Sequence, residues 1–64
     1  MREAELWTRL NQALGEAYAR VWTQQMALRE LGGRTVQEAL EAGMDYKTIW
    51  RACWVELELP ARDR

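Results

Sequence analysis

The side chains able to do chemistry in this sequence are few. Its single cysteine, Cys53, stands in a chain without histidine. A thiol attacks as its thiolate, and imidazole is the usual base that produces one near neutral pH. Cys53 sits at helical spacing among Ile49, Trp50, Trp54 and Leu57, so it reads as a small apolar residue of a core face. Glu38 and Glu41 share a helix face, but paired carboxylates divide into acid and base only where burial separates their pKa values. Glu38 follows Thr35 by three residues, the spacing of a capping box, and Glu41 reads as solvated. One thiol and scattered carboxylates do not meet the needs of a transition metal. The glycines make no phosphate-cradling loop of the G-x-x-x-x-G-K-S/T kind. We therefore expect a protein without catalytic activity, cofactor or metal.

Two binding chemistries remain. Ala39, Gly43 and Ile49 have the spacing of a helix-turn-helix: close helix contact at the alanine, a left-handed turn at the glycine, a core anchor at the isoleucine. Met44 supplies the apolar residue after the glycine. The face this pair would offer to nucleic acid carries Lys47 and Arg51, with Asp45 against them. Phosphate neutralisation calls for several cations, so DNA binding is the alternative rather than the leading reading. The second chemistry is aromatic. Tyr18, Trp22 and Met26 recur at i, i+4 and i+8, and Trp54 stands at the edge of its own segment's apolar face. Tryptophan is enriched in binding hot spots, although large aromatics also supply core area in a small domain. Trp7 and Trp50 are expected in the core. Tyr18, Trp22, Met26 and Trp54 are the candidate surface for a protein partner or homodimer.

The elements that position these groups follow from glycine, proline and periodicity. The four glycines, Gly15, Gly32, Gly33 and Gly43, each follow a stretch of helical period, where a left-handed residue closes a helix. Leu6, Trp7, Leu10, Ala13 and Leu14 make one stripe of a first helix over 3–14. A second helix is expected over 16–31, with Ala17, Val21, Leu28 and Leu31 on its inner stripe. A short third over 36–42 turns Val36, Ala39 and Leu40 inward. The fourth, over 46–58 with Asp45 as N-cap, buries Ile49, Trp50, Cys53 and Leu57. No alternating β-branched run exists, so no sheet is expected. The reading is a single all-α domain over 1–64, a compact bundle of four short helices with a helix-turn-helix-like C-terminal pair. Its tail, residues 61–64, is expected to fray.

Composition narrows the setting. The 64 residues carry nine Lys+Arg against ten Asp+Glu, a net charge of −1, and 48% are hydrophobic. That hydrophobic content argues against disorder, and the near balance of charge argues against general affinity for nucleic acid or anionic membrane. No apolar run approaches membrane-spanning length. A single cysteine forms no internal disulfide, and Met1 through Glu5 lacks the apolar core of a secretion signal. A cytoplasmic protein without membrane contact is expected.

The run Leu31-Gly32-Gly33-Arg34-Thr35-Val36, then Glu38-Ala39-Leu40, Ala42-Gly43, Asp45 to Lys47, Trp50-Arg51-Ala52 and Leu57 to Pro60, resembles the actinobacterial domain-of-unknown-function family 3046. The opening fits as well: Met1-Arg2, Trp7, Gly15, Ala17-Tyr18-Ala19-Arg20 and Trp22. The likeness covers nearly the whole chain. It implies a small helical protein with no established activity, encoded near the recombinase RecA and its regulator RecX, and hence a link to recombination or repair. Two positions depart from the family pattern: Gln25-Met26 stands where an Asp-His pair is common, and Trp54 where a more polar residue is usual. Both make this chain's surface more apolar, which favours self-association or a partner.

Overall fold

The computed structural model describes residues 1–64 as four α-helices and two 3-10 turns, without a strand. Helix α1 spans Glu3–Leu14, α2 Glu16–Gln25, α3 Val36–Glu41 and α4 Tyr46–Glu56, and the 3-10 turns lie at Arg29–Leu31 and Ala61–Asp63. α1 packs on α2 and α4, α3 packs on the same two helices, and the Arg29–Leu31 turn packs on α4. The fold is an all-α bundle of 26 × 23 × 21 Å.

Local sequence sets most of the boundaries. Gly15 closes α1 and opens α2 at one residue: its amide donates to Asn11 O at 2.8 Å while its carbonyl accepts from Ala19 N at 2.8 Å. Its φ of 86° and ψ of 145° are open to glycine and costly for residues with a Cβ. α3 starts on the expected capping box, with Glu38 N donating to Thr35 Oγ1 at 3.1 Å and Thr35 N to Glu38 Oε1 at 2.8 Å. Asp45 Oδ2 accepts from Thr48 N at 3.1 Å to start α4. α3 and α4 end slightly before 42 and 58, because Ala42 and Leu57 serve as C-caps.

The second helix departs from the reading of 16–31. It ends at Gln25, with Met26 extended at φ −85° and ψ 113°. Neither glycine nor proline stops it there. A helix through Leu31 would run about 24 Å, close to the longest dimension of the bundle, and would carry Leu28 and Leu31 past the core. Instead the chain turns back. Leu28 N donates to Arg34 O and Gly33 N to Leu28 O, each at 2.9 Å, and Leu28 and Leu31 are buried from this loop. Tertiary burial here overrides helix propensity.

Shortening α2 also changes its inward face. Ala19, Trp22 and Thr23 are buried, while Val21, expected inside with Ala17, is 46% exposed and Ala17 is exposed too. Without Leu28 and Leu31 as helical extensions, the Ala17–Val21 stripe loses its larger members. The rotation that buries an indole removes more apolar surface from water than one that buries a valine. Thr23 enters the core with its hydroxyl donated to Arg20 O at 3.1 Å, so its burial leaves no unpaired polar atom.

The remaining core joins Leu6 and Leu10 of α1, Leu28, Leu31, Val36 and Ala39, and Ile49, Trp50, Ala52 and Cys53 of α4. Leu14, Leu40 and Leu57 pack against it half-buried. Trp7, expected in the core, is also half-buried: its ring lies at the solvent edge with Nε1 donating to Glu3 Oε2 at 3.3 Å. Leu10 is fully buried. Leu10→Ala should cost about 2–5 kcal/mol, a large share of the stability of a domain this small, and urea denaturation followed by circular dichroism should show the midpoint fall accordingly.

Candidate interaction surface

The structure divides the four residues expected to form one surface. Tyr18 is 57% and Met26 39% exposed, but Trp22 is 5% exposed and belongs to the core. Met26 sits past the end of α2 on extended backbone, so the i, i+4, i+8 row is broken at both its middle and its end. Trp54 is half-buried and lines a different neighbourhood, with Glu30, Thr48, Arg51, Ala52, Val55 and Arg64 around a cavity of about 300 Å³. No α2 residue contributes to it.

A surface not foreseen from sequence replaces it. On the solvent side of α2, Ala17, Tyr18, Val21, Gln24 and Gln25 form an exposed, uncharged row, flanked by exposed Glu16 and Arg20. Helix surfaces of soluble proteins ordinarily place charge opposite the core, and 30% of this chain is charged. The signal was present in the sequence: these five positions share one arc at 100° per residue, and no charge interrupts them. It was hidden because Ala17 and Val21 align with Leu28 and Leu31 when α2 is drawn as a longer helix.

The α4 side is organised by its two tryptophans and by the tail. Trp50 Nε1 donates to Asp63 O and Trp54 Nε1 to Pro60 O, both at 2.9 Å. The Arg64 guanidinium lies 5.5 Å from the Trp54 ring centre, the Arg9 guanidinium 5.6 Å from that of Trp50, and Arg9 Nη1 donates to Arg64 O at 3.4 Å. Arg9 is also held by Glu5 at 2.9 Å. The tail expected to fray at 61–64 thus closes as a strap from α4 back to α1. A cavity of about 380 Å³ lies beneath it, lined in part by Gln12, Trp50 and Leu59. Every residue from Pro60 to Arg64 is exposed, so no apolar burial clamps the strap beyond half-buried Leu59. Each indole hydrogen bond contributes about 1 kcal/mol net, against about 1–2 kcal/mol of backbone entropy for each residue ordered. The closed strap is weakly held.

The helix-turn-helix-like pair has the turn its spacing requires. Met44 N donates to Ala39 O at 3.0 Å and Gly43 N to Leu40 O at 3.1 Å, with Gly43 at φ 76°, the double hydrogen bond of a Schellman close. Ala39 and Ile49 are both buried. Lys47 and Arg51 are exposed on α4, one turn apart and without a carboxylate partner within salt-bridge distance. Trp50, between them in sequence, is turned to the core and the strap.

Cys53 is buried, and removal from water pushes its thiol up from an ordinary value of 9.0 to about 12. Burial therefore favours the neutral thiol over the nucleophilic thiolate in the folded chain. No group of three or more cysteine, aspartate or glutamate side chains is placed to hold a metal ion. Because the folded pKa lies above the unfolded one, the stability this thiol contributes is complete below pH 9 and is lost as pH rises through about 12. Stability measured from pH 9 to 12 should fall more steeply for the parent protein than for Cys53→Ala. At pH 7, iodoacetamide should modify Cys53 only after denaturant is added; rapid modification of the native protein would contradict the burial.

Neither a curated protein nor a solved structure matches this chain. The model of a family described as a protein of unknown function matches residues 1–62, from ahead of α1 into the strap. No helix of the chain is long and apolar enough to cross a membrane. With its glycine-closed helices, its Leu31–Val36 turn and its closing Pro60 all inside the matched region, the chain belongs to the DUF3046 family of proteins of unknown function.

Proposed function

We propose that this protein is a small non-enzymatic interaction module of the cytoplasm that presents the outer face of α2 to a protein partner or a second copy. The carrying observation is the uncharged row Ala17, Tyr18, Val21, Gln24 and Gln25, with Tyr18 57% and Val21 46% exposed. Clustered exposed apolar side chains on a soluble domain mark contact surfaces, and tyrosine is well suited to such a surface because it joins an apolar ring to a hydrogen-bonding tip. The buried neutral thiol and the absence of histidine support a role without turnover. The gene neighbourhood that the family resemblance implies favours a partner in recombination or repair, and we include that in the proposal.

The test is substitution on that face. Tyr18→Glu with Val21→Glu should leave the helical spectrum and the melting temperature nearly unchanged, since neither residue lies in the core. The same variant should lose association with whatever the parent protein captures from a native extract, or the self-association seen by sedimentation. Retention of both would remove the α2 face from consideration.

A nucleic-acid role has one observation in its favour, the Schellman turn that sets Lys47 and Arg51 on one exposed side of α4. Two cations are a small set for phosphate neutralisation, and Asp45 adjoins them. If duplex DNA binds through this face, Lys47→Ala with Arg51→Ala should flatten the salt dependence of binding by about two units. Our reading expects the parent protein to show no binding above background at physiological salt.

A further inference from the structure

The strap has a strained hinge. α4 ends in a Schellman close of its own: Leu59 N donates to Trp54 O and Glu58 N to Val55 O, both at 3.2 Å. The residue this close places in the left-handed region is Glu58, at φ 53°, the one residue other than glycine with positive φ. Glycine fills that place at Gly43, where the same pair of bonds closes α3. A glutamate there is disfavoured by contact between its Cβ and the backbone, and that penalty disappears once the hinge extends. Beyond the hinge, the strap is held through its own main-chain carbonyls at Pro60 and Asp63, by the cation over Trp54, and by Arg9. None of these contacts depends on which chain supplies the carbonyls.

We propose that the strap, Leu59–Arg64, is exchangeable: it releases at Glu58 and docks on the Trp50–Trp54 edge of a second copy, which returns its own strap to the first. The occupant of that edge is fixed by the structure itself, since the segment seen there satisfies both indole N–H groups at 2.9 Å. A reciprocal exchange restores the contacts of Pro60, Asp63 and Arg64 and relaxes the left-handed hinge in each chain, at the cost of association and of the two Schellman bonds that close α4. This edge shares no residue with the outer face of α2, so the exchange stands apart from the interaction proposed there.

Sedimentation equilibrium on the full chain, from micromolar to millimolar, tests this with the parent protein, Glu58→Gly and Glu58→Val. Glycine favours the closed hinge, and two hinges open per dimer, so Glu58→Gly should weaken the dimer by about a hundredfold, a factor of about ten for each hinge. Valine is worse than glutamate at positive φ and should strengthen it by about tenfold. In a dimer formed from differently isotope-labelled chains, nuclear Overhauser contacts should connect the Trp54 indole proton of one chain with Pro60 of the other. Adding Val21→Glu should leave this dimer intact, which separates its failure from failure of the α2 surface. Monomers throughout the range, equal association of the parent protein and Glu58→Gly, or Trp54–Pro60 contacts confined to one chain would each overturn the proposal. The comparison with Glu58→Gly stands even if Glu58→Val does not fold.

Discussion

Burial of two indoles in a 64-residue chain is the constraint around which this structure is arranged. Trp22 and Trp50 are 5% and 2% exposed and belong to the same apolar cluster. A domain of this size has little interior, and large aromatics supply much of the area that offsets chain entropy. Placing Trp22 inside fixes the rotation of α2, turns Ala17 and Val21 outward, and brings Ala19 and Thr23 into contact with the core. Placing Trp50 inside fixes the rotation of α4, with Ile49 and Cys53 inward and Lys47 and Arg51 outward.

The same constraint explains the ends of the chain. An indole near the edge of a small core keeps a polar N–H that needs a partner when it is covered. Trp7 finds the Glu3 carboxylate, Trp50 the Asp63 carbonyl and Trp54 the Pro60 carbonyl. The tail is therefore drawn across α4 by the polar tips of residues whose bodies are apolar. Its own residues stay exposed, and it is held by directional bonds rather than by burial. That difference leaves it weakly held and gives Glu58 its importance, because a residue in the left-handed region sits directly before a segment with little apolar anchorage.

A family of unknown function gains two physical surfaces in this member. One is the uncharged row Ala17, Tyr18, Val21, Gln24 and Gln25 on the outer side of α2, flanked by Glu16 and Arg20. The other is the Trp50–Trp54 edge, occupied by the tail. The helix-turn-helix spacing of Ala39, Gly43 and Ile49 proves to be sound packing geometry, with a Schellman turn and two buried anchors. Such geometry says how α3 and α4 meet and leaves open what touches them.

The sequence by itself determined the fold class, the complete span of α1, the starts of all four helices, the Thr35–Glu38 capping box and the burial of Leu6, Leu10, Ile49, Trp50 and Cys53. These are local matters: a cap, a glycine at positive φ or a single apolar stripe acts within a few residues. Only the tertiary structure decided the end of α2, because Gln24-Gln25-Met26-Ala27 carries no stop signal and the turn is enforced by burial of Leu28 and Leu31 from the loop. Only it decided which of two apolar stripes of α2 faces inward, since periodicity identified both and, with α2 drawn through Leu31, favoured the one that the structure turns outward. That choice placed Trp22 in the core, where the sequence suggested a surface, and put Val21 at the surface, where the sequence suggested a core. The strap, too, was invisible in the residues of the tail. Pro60 and Asp63 hold it through their main-chain carbonyls, which every residue possesses and no sequence pattern marks.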